Sequence, residues 1–147
     1  MFEIVKKYKA GYIMMHMQGD PGNMQENPNY KNVIKSLISF VKLKIKDLES
    51  LGFTNIIIDP GFGFGKNIED NYKVLKELNL FQSLEKPIMV GLSRKSMIYK
   101  VLNISPQEAL NGTTVLNTIA LEKGANILRV HDVKEAMECK KLLAKLY

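Results

Sequence analysis

The sequence predicts a parallel α/β fold made of four βα units. Short apolar runs at residues 12–17, 55–59, 88–91 and 126–130 alternate with longer amphipathic stretches, and such alternation implies a parallel sheet. Three of the runs break off into charge and glycine. Ile56-Ile57-Ile58 meets Asp59-Pro60-Gly61-Phe62-Gly63-Phe64-Gly65-Lys66, Ile88-Met89-Val90 meets Gly91-Leu92-Ser93-Arg94-Lys95-Ser96, and Ile127-Leu128 meets Arg129-Val130-His131-Asp132. Buried parallel strands read as continuous apolar runs, and chemistry in such folds gathers where the strands end. Length is the third observation. A closed (β/α)₈ barrel takes about 250 residues, so 147 residues suit four βα units and one extra helix. Both an open doubly wound sheet and part of a (β/α)₈ barrel fit this pattern.

The elements follow in order. Residues 1–8 read as a helical turn without the apolar core of a leader. The first strand is 12–17. A helix over 30–51 repeats Ile34, Leu37, Ile38, Val41, Ile45 and Leu48 on one face, and Gly52 stops it. The second strand, 55–59, leads to a helix over 71–80 with Val74, Leu75 and Leu78 on one side. Pro87 sets up the third strand, 88–91. Ser105-Pro106-Gln107-Glu108 has the form of a capping box with proline at the first helical position. That helix runs to Lys123 and closes at Gly124. The fourth strand is 126–130, and Asp132 is placed to cap a last helix over 133–146.

Composition narrows the class. The chain is 46% hydrophobic and 24% charged, an ordinary globular balance, and residues 1–147 suit one domain. No apolar run is long enough to span a bilayer, so no membrane partner is expected. The single cysteine, Cys139, cannot form an internal disulfide, which points to a cytoplasmic setting; it reads as packing in the last helix. The net charge of +6 decorates helix faces, as at Lys42, Lys44 and Lys46, or attracts an anionic small molecule such as a diphosphate. The basic residues form no dense stripe interleaved with aromatics, so no nucleic-acid partner is expected.

The strand ends supply the candidate chemistry. The glycines at 61, 63 and 65 allow close approach of a ligand to the backbone, but their spacing matches neither a Walker A loop nor G-x-G-x-x-G. A tight structural turn and a binding loop are equal readings. Ser93-Arg94-Lys95-Ser96 places two cations and two hydroxyls at a strand end, suited to an anion or polar ring; the alternative is a solvated loop with a cap from Ser96. Alternation along an extended strand puts Arg129 and His131 on one face as a phosphate clamp. The alternative pairs Arg129 with Asp59 or another carboxylate. In Met14-Met15-His16-Met17-Gln18-Gly19-Asp20-Pro21, a lone His16 reads as a hydrogen-bonded core residue, and no histidine-based zinc site is indicated.

Together, Met15-His16-Met17-Gln18-Gly19, Asp59-Pro60-Gly61-Phe62-Gly63-Phe64-Gly65-Lys66, Gly91-Leu92-Ser93-Arg94-Lys95-Ser96 and Arg129-Val130-His131-Asp132-Val133 occur in the order and approximate spacing of dihydropteroate synthases. The resemblance spans nearly the whole chain. It implies strands five to eight of a TIM (β/α)₈ barrel, with Met1 inside the helix after strand four. It implies a transferase of folate biosynthesis, a sulfonamide target, that joins 6-hydroxymethyl-7,8-dihydropterin diphosphate to 4-aminobenzoate and releases diphosphate. By resemblance, Asp59, Lys95 and Arg129 bind the pterin, Arg129 and His131 the diphosphate, and Ser93 and Phe64 the aminobenzoate. No protein nucleophile is expected. Magnesium is implied as cofactor, but the family's Asn-Val-Thr-Pro-Asp-Ser-Phe type loop that binds it is absent here, so no metal ligand is expected in this chain. The family's N-terminal half is missing, and a fragment or split product is expected.

Three readings follow. The chain is an enzyme half that needs its partner half, a pterin-binding module without turnover, or a half barrel that merely self-associates. Four parallel strands without closure leave two edges open to another chain, so a homodimer or a complementing N-terminal half is the expected partner.

Overall fold

A computed structural model describes residues 2–20, 22–24 and 28–146. The strands are β1 (Tyr12–Met15), β2 (Ile56–Asp59), β3 (Met89–Val90) and β4 (Ile127–Leu128). The α-helices are α1 (Phe2–Lys7), α2 (Val33–Ser50), α3 (Ile68–Lys76), α4 (Ser96–Leu102), α5 (Leu110–Glu122) and α6 (Val133–Leu143). All strand pairs are parallel. β1 pairs with β2 from Tyr12–Ile56 to Met15–Asp59, and β3 pairs with β4 at Met89–Ile127 and Val90–Leu128. A parallel bridge from Ile58 to Ile88 joins the two pairs. The strands therefore lie side by side in chain order.

The sheet is parallel because each return to its lower edge is made by a helix. α2 shows how sequence dictates this. Asn32 caps it, accepting from the Lys35 N–H at 3.0 Å. Its buried residues Ile34, Leu37, Val41, Ile45 and Leu48 recur at helical spacing and pack on the sheet. Met14, Ile56, Ile58, Ile88 and Val90 come from the strand face that meets the helices, and Phe53, Leu78 and Phe81 close the layer. The opposite face of the sheet is covered only in part among the described residues: Asp59 and Met89 are buried, but Ile13 is 49% exposed and Ile127 36% exposed.

Several boundaries differ from the sequence reading. The first strand stops at Met15, short of residue 17. The helix expected over 71–80 is α3, Ile68–Lys76, capped by the Asn67 side chain, and a 3₁₀ helix, Leu78–Leu84, follows it. The capping box at Ser105 and Glu108 forms, but it starts a 3₁₀ turn, Pro106–Glu108, and α5 begins at Leu110. α4 has no counterpart in the sequence reading. Lys95 holds its N-cap position without a side-chain cap bond, so Ser96 is not the cap. Asp132 occupies the N-cap position of α6 but makes no capping bond, because its carboxylate is engaged elsewhere. The α1 turn forms over Phe2–Lys7, while Met1 lies outside the described residues.

Both sheet edges are open among the described residues. Beside β1 lies a groove of about 580 Å³ lined by Tyr12, Met14, Met15, Phe40 and Leu48. Beside β4 lies one of about 340 Å³ lined by Ile127, Leu128, Val130, Ala136 and Met137. No helix among the described residues is long and apolar enough to cross a membrane. Cys139 is buried between α5 and α6, with its sulfur 3.8 Å from the Thr114 carbonyl oxygen.

Leu37 is fully buried on α2. Leu37→Ala is expected to cost about 2–5 kcal/mol. A urea titration would show this as a lower midpoint with unchanged slope; a cost under about 1 kcal/mol would show that α2 is not pinned to the sheet.

Candidate functional site

The four strand ends sit together because the strands run the same way. Register places Met15, Asp59, Met89 and Ile127 at one level on the face away from the helices. Asp59 is the polar member of that row and is only 3% exposed. Its Oδ1 accepts the Gly61 N–H at 2.8 Å. Its Oδ2 has no hydrogen-bond partner among the described residues. Burial pushes the Asp59 carboxyl above the ordinary carboxylate range, while the Gly61 N–H and the charges of Lys95, Arg129 and Lys66 pull it back down.

Lys95 comes from the loop after β3. Its ammonium donates to the Phe62 carbonyl and stands 4.8 Å over the centre of the Phe64 ring. Burial brings its pKa down to about 8, against the opposing pull of Asp59. Arg129 follows β4 and extends the pairing through its N–H to the Val90 carbonyl at 2.9 Å. Its guanidinium lies on Gly91, where a Cβ would come within 2.6 Å of Nη2. Arg129 makes no ion pair among the described residues; its charge reaches Asp59 through space.

Ser93 and His131 meet directly. The Ser93 Oγ is 2.9 Å from the His131 Nδ1 and accepts the His131 backbone N–H at 3.3 Å. Arg129 and His131 stand in the segment after β4, so strand alternation does not set their directions. β4 ends at Leu128, Arg129 leans on Gly91, and His131 turns to Ser93.

Arg94 is not a free cation for an anion. It forms two bonds of 2.9 Å to the Asp132 carboxylate, through Nε and Nη2, and its Nη1 donates to the carbonyls of Pro106 and Gln107. Asp132 holds that guanidinium and is itself held below the usual carboxylate range by it. Arg94 has φ +54°, a left-handed conformation. The fork to Asp132 thus fixes the turn that sets Ser93 and Lys95 on either side.

Sequence reasoning assigns no role to Lys66. It is 2% exposed, and its Nζ lies 2.9 Å from the Gly61 carbonyl, 3.0 Å from the Phe64 carbonyl and 3.2 Å from the His16 Nδ1. Burial brings its pKa down to about 8. His16 is buried as expected, edge-on to Phe40, and burial with Lys66 beside it lowers its pKa to about 4. The loop itself passes so close to the end of β1 that a Cβ on Gly61 would strike the His16 carbonyl oxygen, and one on Gly65 would lie 2.6 Å from the Gln18 carbonyl oxygen. Both glycines have positive φ. The only sequence signal for Lys66 is its place at the end of the glycine run.

No three His, Cys, Asp or Glu side chains gather to hold a metal among the described residues. The arrangement is a dry carboxylate with one open oxygen, ringed by cations. It can accept paired N–H donors from a flat heterocycle and attract an anionic substituent beside it.

Comparison with known proteins places the chain in a family. The sequence model of the family described as pterin binding enzyme matches residues 1–131. The dihydropteroate synthase of Escherichia coli (strain K12) is 43% identical over 132 residues, covering 88% of this chain and 47% of that protein. A crystal structure of the Yersinia pestis dihydropteroate synthase with a sulfonamide drug complex superposes with a TM-score of 0.96 at 38% identity, covering 99% of this chain and 54% of that one. The dihydropteroate synthase of Thermus thermophilus in complex with 4-aminobenzoate gives 0.94 at 31% identity, covering 99% of this chain and 60% of that one. The chain spans about half the length of the curated relatives it matches. With the family model matched across most of its length, the chain belongs to the pterin-binding enzyme family.

Proposed function

We propose that this chain is the pterin-holding half of a dihydropteroate synthase. In this reading residues 1–147 are one domain, equivalent to strands five to eight of a (β/α)₈ barrel. The observation that carries it is Asp59, buried at the end of β2 with Oδ2 unengaged and Lys95 and Arg129 close by. Asp59 accepts two N–H groups of the pterin, and Lys95 donates to its carbonyl and ring nitrogen. Arg129 lies on the ring face and, with His131, meets the diphosphate. Ser93 and Phe64 border the aminobenzoate.

The reaction then needs no protein nucleophile. The aminobenzoate nitrogen bonds to the pterin methylene as the carbon–oxygen bond to diphosphate breaks, and the amine proton leaves to solvent. These residues contribute orientation and stabilisation of leaving-group charge. The described residues gather no carboxylate or histidine cluster for magnesium, so no step here passes through that ion. Sulfonamide competition at the aminobenzoate side and a cytoplasmic setting belong to the same proposal.

The two open edges and the exposed part of the inner face support a complementing partner. Ile13 and Ile127, exposed on that face, and the grooves beside β1 and β4 suit four further βα units of the same family. A second copy of this chain is the alternative occupant.

Two outcomes are expected. Asp59→Asn keeps an acceptor for the Gly61 N–H but loses the charge, so calorimetry should show pterin binding weakened by about 1–3 kcal/mol; unchanged affinity would remove Asp59 from the site. The same change should not lower stability at neutral pH. A carboxyl whose folded pKa is raised destabilises the fold when ionised; that cost is full above the folded pKa and vanishes below the unfolded value of about 3.9. The second outcome concerns turnover. The isolated chain should release no diphosphate, and mixing it with a synthase N-terminal half should restore release. No release from the mixture would count against complementation.

A further inference from the structure

We infer that Lys66 is a positioning residue for Asp59: through the Gly61 peptide it fixes the donor that orients the carboxylate, and its charge keeps that carboxylate ready to accept a ligand. The inference rests on the proposed pterin site and adds a residue that does not touch the ligand.

The geometry makes a continuous chain. The Gly61 peptide is held from both sides: its carbonyl accepts from Lys66 Nζ at 2.9 Å, and its N–H donates to Asp59 Oδ1 at 2.8 Å. The Phe64 carbonyl, 3.0 Å from the same ammonium, holds the far end of the turn. A lysine has three donors, and here all three are used. Burying an ammonium is costly, and filling space would need only an apolar side chain. No carboxylate lies within ion-pair distance of Lys66 among the described residues. Its charge instead acts through space on Asp59, and to a lesser degree on Asp70.

The surrounding groups allow this role. Asp59 faces Lys66 from its own loop, Lys95 from the loop after β3 and Arg129 from the end of β4. Lys66 faces His16 from the end of β1, with Asp70 of α3 and Lys95 nearby. His16 stays neutral down to about pH 4, so it accepts from Lys66 instead of repelling it.

Charge and scaffolding can be told apart by direction. Loss of the loop would expose Asp59 and bring its carboxyl down toward the ordinary range. Loss of the Lys66 charge with the loop intact would push it further up. The test is a carbon-13 NMR titration of the Asp59 carboxyl in the wild type, Lys66→Met and Lys66→Gln, with calorimetry of 6-hydroxymethyl-7,8-dihydropterin diphosphate in parallel. The Asp59 titration should move to higher pH in both variants. Pterin affinity should fall by about tenfold in Lys66→Met, the scale of one lost charge-assisted arrangement. If Lys66→Met does not fold, Lys66→Gln decides, since its amide can still donate to a carbonyl but has no charge. An Asp59 titration that stays in place or moves down in a folded variant overturns the inference. An upward movement with no pterin binding by the wild type overturns the proposed ligand and leaves the role of Lys66 standing.

Discussion

A carboxylate kept dry at the end of a parallel strand is costly unless something compensates for the lost water. At Asp59 the compensation comes from the Gly61 N–H and from cations on three separate loops. That requirement shapes the whole mouth. It asks for a glycine turn tight enough to present Gly61, for a buried Lys66 to hold that turn, and for Lys95 and Arg129 to arrive from the next two strands. The parallel sheet satisfies it because successive strands deliver their ends to one place.

The parts held by local pattern were legible in the sequence. The apolar runs placed every strand, the helical spacing on α2 named its buried face, and the polar residues after Ile58, Val90 and Leu128 marked the rim. The unread parts depend on contacts between loops distant in sequence. Arg94 looked like a free cation until Asp132, 38 residues on, took its guanidinium. Ser93 and His131, equally far apart, are bonded to each other, a pairing that no local pattern reveals. Lys66 carried no signal beyond its place in the glycine run, because an inward-turned lysine is recognised only when its carbonyl partners are in place. α4 was missed because Ser96–Leu102 is too short for a periodic face to stand out.

Two kinds of lysine emerge at the same rim. Lys95 gives its ammonium to one backbone carbonyl, that of Phe62, and holds it over the Phe64 ring. Lys66 points inward and spends every donor on the protein. Burial lowers both to about 8, so a shift in acidity alone does not separate the two lysines. The hydrogen-bond partners separate them. The same logic applies to the arginines: Arg94 is locked by a fork to a carboxylate, while Arg129 rests on Gly91 without an ion pair among the described residues.

The order of the strands in the sheet is also their order in the chain. Among the described strands, β2, β3 and β4 each dock on the one made just before, across a helical excursion. The entropy of loop closure is met in small, similar steps. Parallel pairing is slow when its contacts are far apart in sequence, and this order keeps them as near as helical crossovers permit. On a ribosome, each βα unit would find its neighbour already exposed, so the sheet can grow in the direction of synthesis.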